Sequence, residues 1–238
     1  MLKINGFGKL YGSKRAVSGL DLEVKAGEIF GFIGHNGAGK TTTIKSIVGI
    51  LEFEEGDITV KGMSVKTQPI DCKRVLAYIP DTPDLYEMLT GFKYINLIAD
   101  FFQTPKVVRE TGIKRYADAF EMTERLGDPI SSYSHGMKQK IAVIAALVHN
   151  PELLVLDEPF VGLDPNAAFT LKGIMREICE KGGAIFFSTH VLEVAEKLCD
   201  RIGIIRDGKL VRMGDTEEVC GDKSLEEVFL QLKGETDL

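Results

Sequence analysis

The run Gly34-His35-Asn36-Gly37-Ala38-Gly39-Lys40-Thr41 places Gly, Gly, Lys and Thr at the spacing G-x-x-x-x-G-K-[ST]. Glycines at 34, 37 and 39 let successive backbone N–H groups converge on phosphate oxygens. The helix expected to start at Lys40 adds the favourable end of its dipole. Lys40 would neutralise β- and γ-phosphates, and the Thr41 hydroxyl would ligate Mg²⁺. A second signal is Leu153-Leu-Val-Leu-Asp157-Glu158, four apolar residues followed by two carboxylates. Adjacent acids at the end of a buried strand are costly without a cation. A Mg²⁺-bound nucleotide supplies one: Asp157 would hold the metal and Glu158 would polarise an attacking water.

The elements that must position these groups follow from periodicity. Glu28-Ile-Phe-Gly-Phe-Ile33 is a near-continuous apolar run, as in a strand buried on both faces. It leads through the glycine loop into a helical pattern over 40–51. Short strands are predicted before it, at 3–5 and 19–24, and after it, at 58–62 and 75–79. From about 84 to 150 the texture becomes helical. Thr90 would cap a helix with Phe92, Ile95, Ile98 and Phe102 on one face. Further helices are predicted over 107–125 and 137–149. Strands at 153–156 and 184–187 alternate with helices at 165–180 and 191–200. Asp207-Gly208 marks a hairpin within 202–211, and a helix over 215–232 follows. Such alternation predicts an α/β fold with a mostly parallel sheet, interrupted by an all-helical insertion.

With both motifs in this order, the chain resembles the ATP-binding subunit of an ABC transporter over nearly its whole length. The resemblance implies a P-loop NTPase core, an N-terminal antiparallel β subdomain and an inserted helical subdomain. It implies one domain over 1–238, with 1–83 and 151–238 as core plus β subdomain and 84–150 as the helical part. Tyr11 resembles the aromatic that stacks on adenine, worth about 1–3 kcal/mol. The phosphate loop is then His35, Asn36, Ala38 and Thr42 together with its glycines, Lys40 and Thr41. Ser134-His135-Gly136-Met137 stands in the place of the family signature, whose serine and glycine touch the γ-phosphate held by the opposite subunit. Asp164, in Gly162-Leu-Asp-Pro, resembles the loop that crosses the dimer seam. His190 resembles the switch histidine at the γ-phosphate. Two departures stand out: Tyr133-Ser-His-Gly-Met replaces Leu-Ser-Gly-Gly-Gln, and Asp81 follows Tyr78-Ile-Pro80 where glutamine is usual. Asp81 could still reach Mg²⁺ but cannot donate a hydrogen bond when ionised.

The resemblance therefore implies an ATPase that uses ATP and Mg²⁺, and that dimerises with itself or with a second ATP-binding subunit. It would drive transport, in the manner of export systems, through a separate polytopic permease. The competing expectation is a nucleotide-dependent switch or scaffold with little turnover, motivated by Asp81 and the altered signature. Phe92, Tyr94, Phe101 and Phe102 either fill the core of the helical insertion or border a groove for a short helix of the permease.

Composition bounds these readings. The chain has 238 residues, 44% hydrophobic and 27% charged, with 29 basic and 35 acidic residues and a net charge of -6. No basic excess suggests nucleic acid as a partner. No apolar run approaches the roughly 18 residues of a membrane span, and the first residues lack the apolar core of a signal peptide. The expectation is a soluble cytoplasmic protein, peripheral on the inner face of the membrane through its permease, with no insertion of its own. Cys72, Cys179, Cys199 and Cys220 show no pairing pattern and read as small buried hydrophobes. His149 shows no sequence context for a role. Glycine, 25 residues or about 10% against a usual ~7%, is the compositional outlier.

Overall fold

The computed structural model describes residues 1–234. In chain order its elements are β1 (Leu2–Tyr11), β2 (Lys14–Val24), β3 (Ile29–Ile33), α1 (Lys40–Ile47), β4 (Glu55–Val60), β5 (Met63–Ser64), α2 (Pro69–Val75) and β6 (Leu76–Ile79). Three helices follow: α3 (Gly91–Phe101), α4 (Lys106–Ala119) and α5 (His135–Leu147). The chain then returns to β7 (Leu153–Asp157), α6 (Pro165–Glu180), β8 (Ala184–Thr189), α7 (Leu192–Leu198), β9 (Arg201–Arg206) and β10 (Lys209–Asp215). Two short helices end it, α8 (Thr216–Cys220) and α9 (Leu225–Gly234).

Two sheets result. An antiparallel sheet runs β2-β1-β4-β5, and a six-stranded sheet runs β10-β9-β3-β8-β7-β6. In the second sheet only β10 is antiparallel to its neighbour. This is the expected α/β class, with a mostly parallel core sheet, an N-terminal antiparallel sheet and helices between β6 and β7.

Strand alternation divides the core. Leu154, Leu156, Ile185 and Phe187 face a cluster that includes Ile141, Ile144, Leu171 and Met175 of α5 and α6. Leu153, Val155 and Phe186 face the opposite cluster with Phe30, Phe32, Ile44 and Ile47. The parallel strands are buried on both faces, which is why they read as unbroken apolar runs.

Several boundaries differ from the sequence reading. The tract 57–80 reads as strands, yet α2 forms within it because Pro69 starts its first turn. Helix α1 stops at Ile47, where Gly49 takes φ 70°. Helix α4 stops at Ala119: Glu121 adopts a left-handed φ of 57°, and the Met122 N–H closes onto the Ala117 carbonyl. The terminal helix is split because Gly221, at φ 56°, ends α8. Conversely β1 is longer than expected and carries Tyr11 at its end.

Candidate functional site

Three loops leave the same edge of the central sheet. Ile33 on β3 lies in register with Thr189 on β8, and Ser188 on β8 with Asp157 on β7. The glycine loop, the Asp157-Glu158 pair and His190 therefore emerge side by side at the carboxyl ends of adjacent parallel strands, the usual place for a ligand in such sheets.

The glycine loop is shaped by close approach. Gly37 and Gly39 have φ 84° and 111°. A Cβ at Gly34 would stand 2.5 Å from the Ile205 carbonyl, so no larger residue fits there. Lys40 is buried and folds back along the loop, its Nζ donating to the Gly34 carbonyl at 2.6 Å. Glu158 Oε1 lies 3.5 Å from the same ammonium. Glu158 itself has φ 49°, a left-handed backbone for a non-glycine residue. Its other oxygen, Oε2, accepts from the His190 backbone N–H at 3.2 Å and meets His190 Nδ1 at 2.9 Å. Behind them, Asp157 is 1% exposed. The Thr41 hydroxyl donates to its Oδ2 at 2.8 Å and the Ser188 hydroxyl to its Oδ1.

A cavity of about 750 Å³ opens over these groups. Tyr11, half-exposed, stands at one side, and His35, Asn36, Gly37, Gly39, Thr41 and Thr42 line the loop side. Asp81 reaches the cavity wall, its Oδ1 accepting from the Thr82 N–H at 2.9 Å. Gly34 and Ala38 shape the loop from beneath: the Gly34 carbonyl takes the lysine, and the Ala38 carbonyl accepts from the Gly208 N–H at 3.0 Å.

Sequence reasoning missed several wall residues. Lys14, Arg15 and Ala16 come from β2, and Asp207 and Gly208 from the β9–β10 turn. Arg15 is held by Glu55 through two parallel bonds. Asp207 Oδ1 lies 3.7 Å from His35 Nε2. The turn was legible as a hairpin, but nothing local in Asp207-Gly208 says that it covers a loop some 170 residues earlier in the chain.

The ABC transporter family matches residues 17–161 of this chain. The chain belongs to that family. It is 36% identical to the linearmycin resistance ATP-binding protein LnrL of Bacillus subtilis over 223 residues, 92% of this chain and 71% of that protein. It is 33% identical to the ABC-type transporter ATP-binding protein EcsA of the same organism, covering 94% of this chain and 93% of EcsA. A solved ATP-binding subunit of an ABC transporter superposes with a TM-score of 0.94 at 34% identity, over 98% of this chain and 99% of that one. A dimeric ATP-binding cassette in a post-hydrolysis state with ADP and Pi shares the fold, with a TM-score of 0.82 at 21% identity over 91% of this chain and 99% of that one. The chain is thus an ATP-binding subunit of an ABC transporter, and an ATPase by class.

In this ABC subunit the signature residues stand apart from the cavity. Ser134 caps α5, its Oγ accepting from the Met137 N–H at 3.3 Å, with Gly136 two residues on in the first turn. Asp164 caps α6 by accepting from the Ala167 N–H at 2.9 Å and pairs with Lys140 Nζ at 2.8 Å. The bond from Lys140, followed by that from Ala167, holds the Asp164 carboxyl below its usual range. Gly162, at φ 84°, packs so closely that a Cβ would meet the His135 ring at 2.7 Å.

The ABC subunit also carries a groove of about 320 Å³ between β6, α3 and α5. The aromatic cluster of α3 divides across it: Tyr94 and Phe102 pack inward, while Phe92 and Phe101 are exposed. His149 lies at the groove floor, stacked on Phe102 with 3.6 Å between ring centroids. Burial pulls its pKa down to about 4. That role was invisible in sequence because it depends on a partner 47 positions away.

Proposed function

We propose that this chain hydrolyses ATP as one half of a dimer and so powers transport, in the export direction, through a separate membrane permease. The observation that carries the proposal is Glu158, held between Lys40 and His190 at the mouth of the cavity. Adenine would stack on Tyr11, with the phosphates running along the glycine loop to Lys40. Water would then attack the γ-phosphorus, giving up a proton to Glu158 as the bond to ADP breaks. ADP and phosphate leave. His190, poised on Glu158, would hold the attacking geometry.

The residues present suit Mg²⁺. Thr41 Oγ1 and Asp157 Oδ2, 2.8 Å apart, offer an oxygen edge facing the cavity. Among the described residues no group of three His, Cys, Asp or Glu side chains could hold a metal by itself. That matches a cation that takes its remaining ligands from phosphate and water. Such a cation would supply charge neutralisation to the phosphates. Asp81 stands on the same wall as a further carboxylate for its water shell.

Ser134 and Gly136 lie outside the cavity of their own chain, which suits donation to a partner's nucleotide. Asp164 belongs with the same seam. Residues 1–83 and 151–238 would then act as the nucleotide-binding body and 84–150 as the helical body that carries the signature. The groove between them, lined by Ile50, Tyr94, Ile98 and Phe102, fits a short helix of a permease. On the family reading the pore would belong to a separate permease, with this chain at its cytoplasmic face; among the described residues no helix is long and apolar enough to cross a membrane. The likeness to a resistance protein supports export.

Glu158→Gln keeps the shape and removes the base. Its ATPase rate is expected to fall by at least about 100-fold with ATP binding retained. An unchanged rate would overturn the catalytic assignment, and negligible turnover in the parent protein would favour a nucleotide switch.

A further inference from the structure

We propose that Ser188 is a positioning residue that orients Asp157 for the divalent cation and Glu158 for water, a role that rests on the hydrolytic reading of the cavity. Ser188 is 0% exposed. It is the register partner of Asp157 on the neighbouring parallel strand, so hydroxyl and carboxylate rise from one face at one level. A serine hydroxyl has one donor and two acceptor positions, and this one uses both functions. It donates to Asp157 Oδ1 and accepts from the Glu158 N–H at 3.1 Å.

The two hydroxyls on Asp157 are not equivalent. Thr41 lines the cavity and is the group a cation would claim. Ser188 lies behind Asp157, outside the cavity lining, and acts only through its neighbours. Once Thr41 turns to the metal, Ser188 is the remaining side-chain donor that fixes the plane of the Asp157 carboxylate. Its acceptor side pins the peptide of Glu158, whose φ of 49° is unfavourable for a residue bearing Cβ. The same peptide N–H also lies 3.2 Å from the Ser188 carbonyl, so one residue anchors it twice. Alanine at 188 would leave Oδ1 of a buried carboxylate without a donor, free to rotate toward any other.

Partners of metal ligands commonly contribute about 10- to 100-fold to metal affinity. The test follows nucleotide binding rather than turnover. The purified chain is mixed with a fluorescent ATP analogue and titrated with Mg²⁺, and a parallel titration of the analogue is made in EDTA. For Ser188→Ala the half-saturating Mg²⁺ concentration is expected to rise about 10-fold, with EDTA affinity unchanged. Ser188→Thr, which restores the hydroxyl, should return the Mg²⁺ midpoint toward the parent value. If the alanine variant does not fold, Ser188→Cys, similar in volume but a weak donor, should show the same shift. A folded Ala or Cys variant with an unshifted Mg²⁺ midpoint overturns the proposal, as does an equal loss of affinity in EDTA. A parent protein that binds the analogue without any response to Mg²⁺ would instead overturn the metal reading of the cavity itself.

Discussion

His149 shows how an ionisable side chain can serve packing, its Nε2 lying 3.4 Å from the Leu76 carbonyl. Its ring is stacked on Phe102 and half-buried against the groove floor, and desolvation keeps it neutral down to about pH 4. The unfolded chain would protonate the same ring near pH 6.5, so the unfolded state binds more protons between these values. Stability from this residue is therefore full above pH 6.5 and is lost as pH falls toward 4. Replacing it by Phe preserves the stack and removes the titration. Relative to the parent protein, His149→Phe should gain about 2 kcal/mol, or about 5 °C in melting temperature, between pH 7 and pH 5. Thermal melts at the two pH values test this, and an equal pH response in both proteins would refute it. At this scale the contiguous groups were legible: Lys40, Thr41, Asp157 and Glu158 fall in short motifs, and the structure brings all four to one cavity. Ser188 and His149 were not, because strand register and ring stacking give them their partners.

Among the elements, the β9–β10 hairpin constrains the cavity most tightly from outside the glycine loop. Gly208 sits at φ 75°, donates its N–H to the Ala38 carbonyl, and has no room for a Cβ, which would lie 2.5 Å from the Ala16 carbonyl. Gly208→Ala should destabilise the fold by about 2 kcal/mol and weaken nucleotide binding, because turn, β2 and loop must separate together. Calorimetric unfolding and ATP titration would show it; a variant with parental stability and affinity would mean that the hairpin tip yields freely. The cap of α6 makes a second test at this scale. Asp164→Ala should cost about 1 kcal/mol through the lost cap, whereas Lys140→Ala, which leaves the cap intact, should cost less. Paired denaturant melts would separate the two, and equal losses would contradict the ranking. Element types were readable wherever periodicity was strong. Element ends were less so, since Glu121 stops α4 in a left-handed conformation that its residue type does not advertise.

At the scale of the molecule, the cavity and the face that carries Ser134 lie on one chain but not at one site. Ser134 caps a helix outside the cavity that holds Lys40 and Glu158. If a second chain supplies the missing face, Glu158→Gln with ATP and Mg²⁺ should accumulate as a dimer of about twice 26.2 kDa, and Ser134→Ala added to it should restore the monomer. Light scattering coupled to size exclusion reads both, and a monomeric Gln variant at saturating ATP would count against the composite site. The fold class was legible as a whole because β3, β7 and β8 are apolar on both faces. The contribution of β2 and the hairpin to the cavity was not, since it arises from two sheets meeting.

On the proposed reading, the contact between Lys40 and Glu158 would give nucleotide uptake the character of an anion exchange. The loop's ammonium has a carboxylate 3.5 Å away. On that reading, an incoming phosphate would displace that counterion rather than meet a bare charge, and Glu158 would become available to water only when the nucleotide is seated. The same exchange should blunt the sensitivity of ATP binding to ionic strength, and Glu158→Gln, having no anion to displace, should bind ATP with the steeper salt dependence.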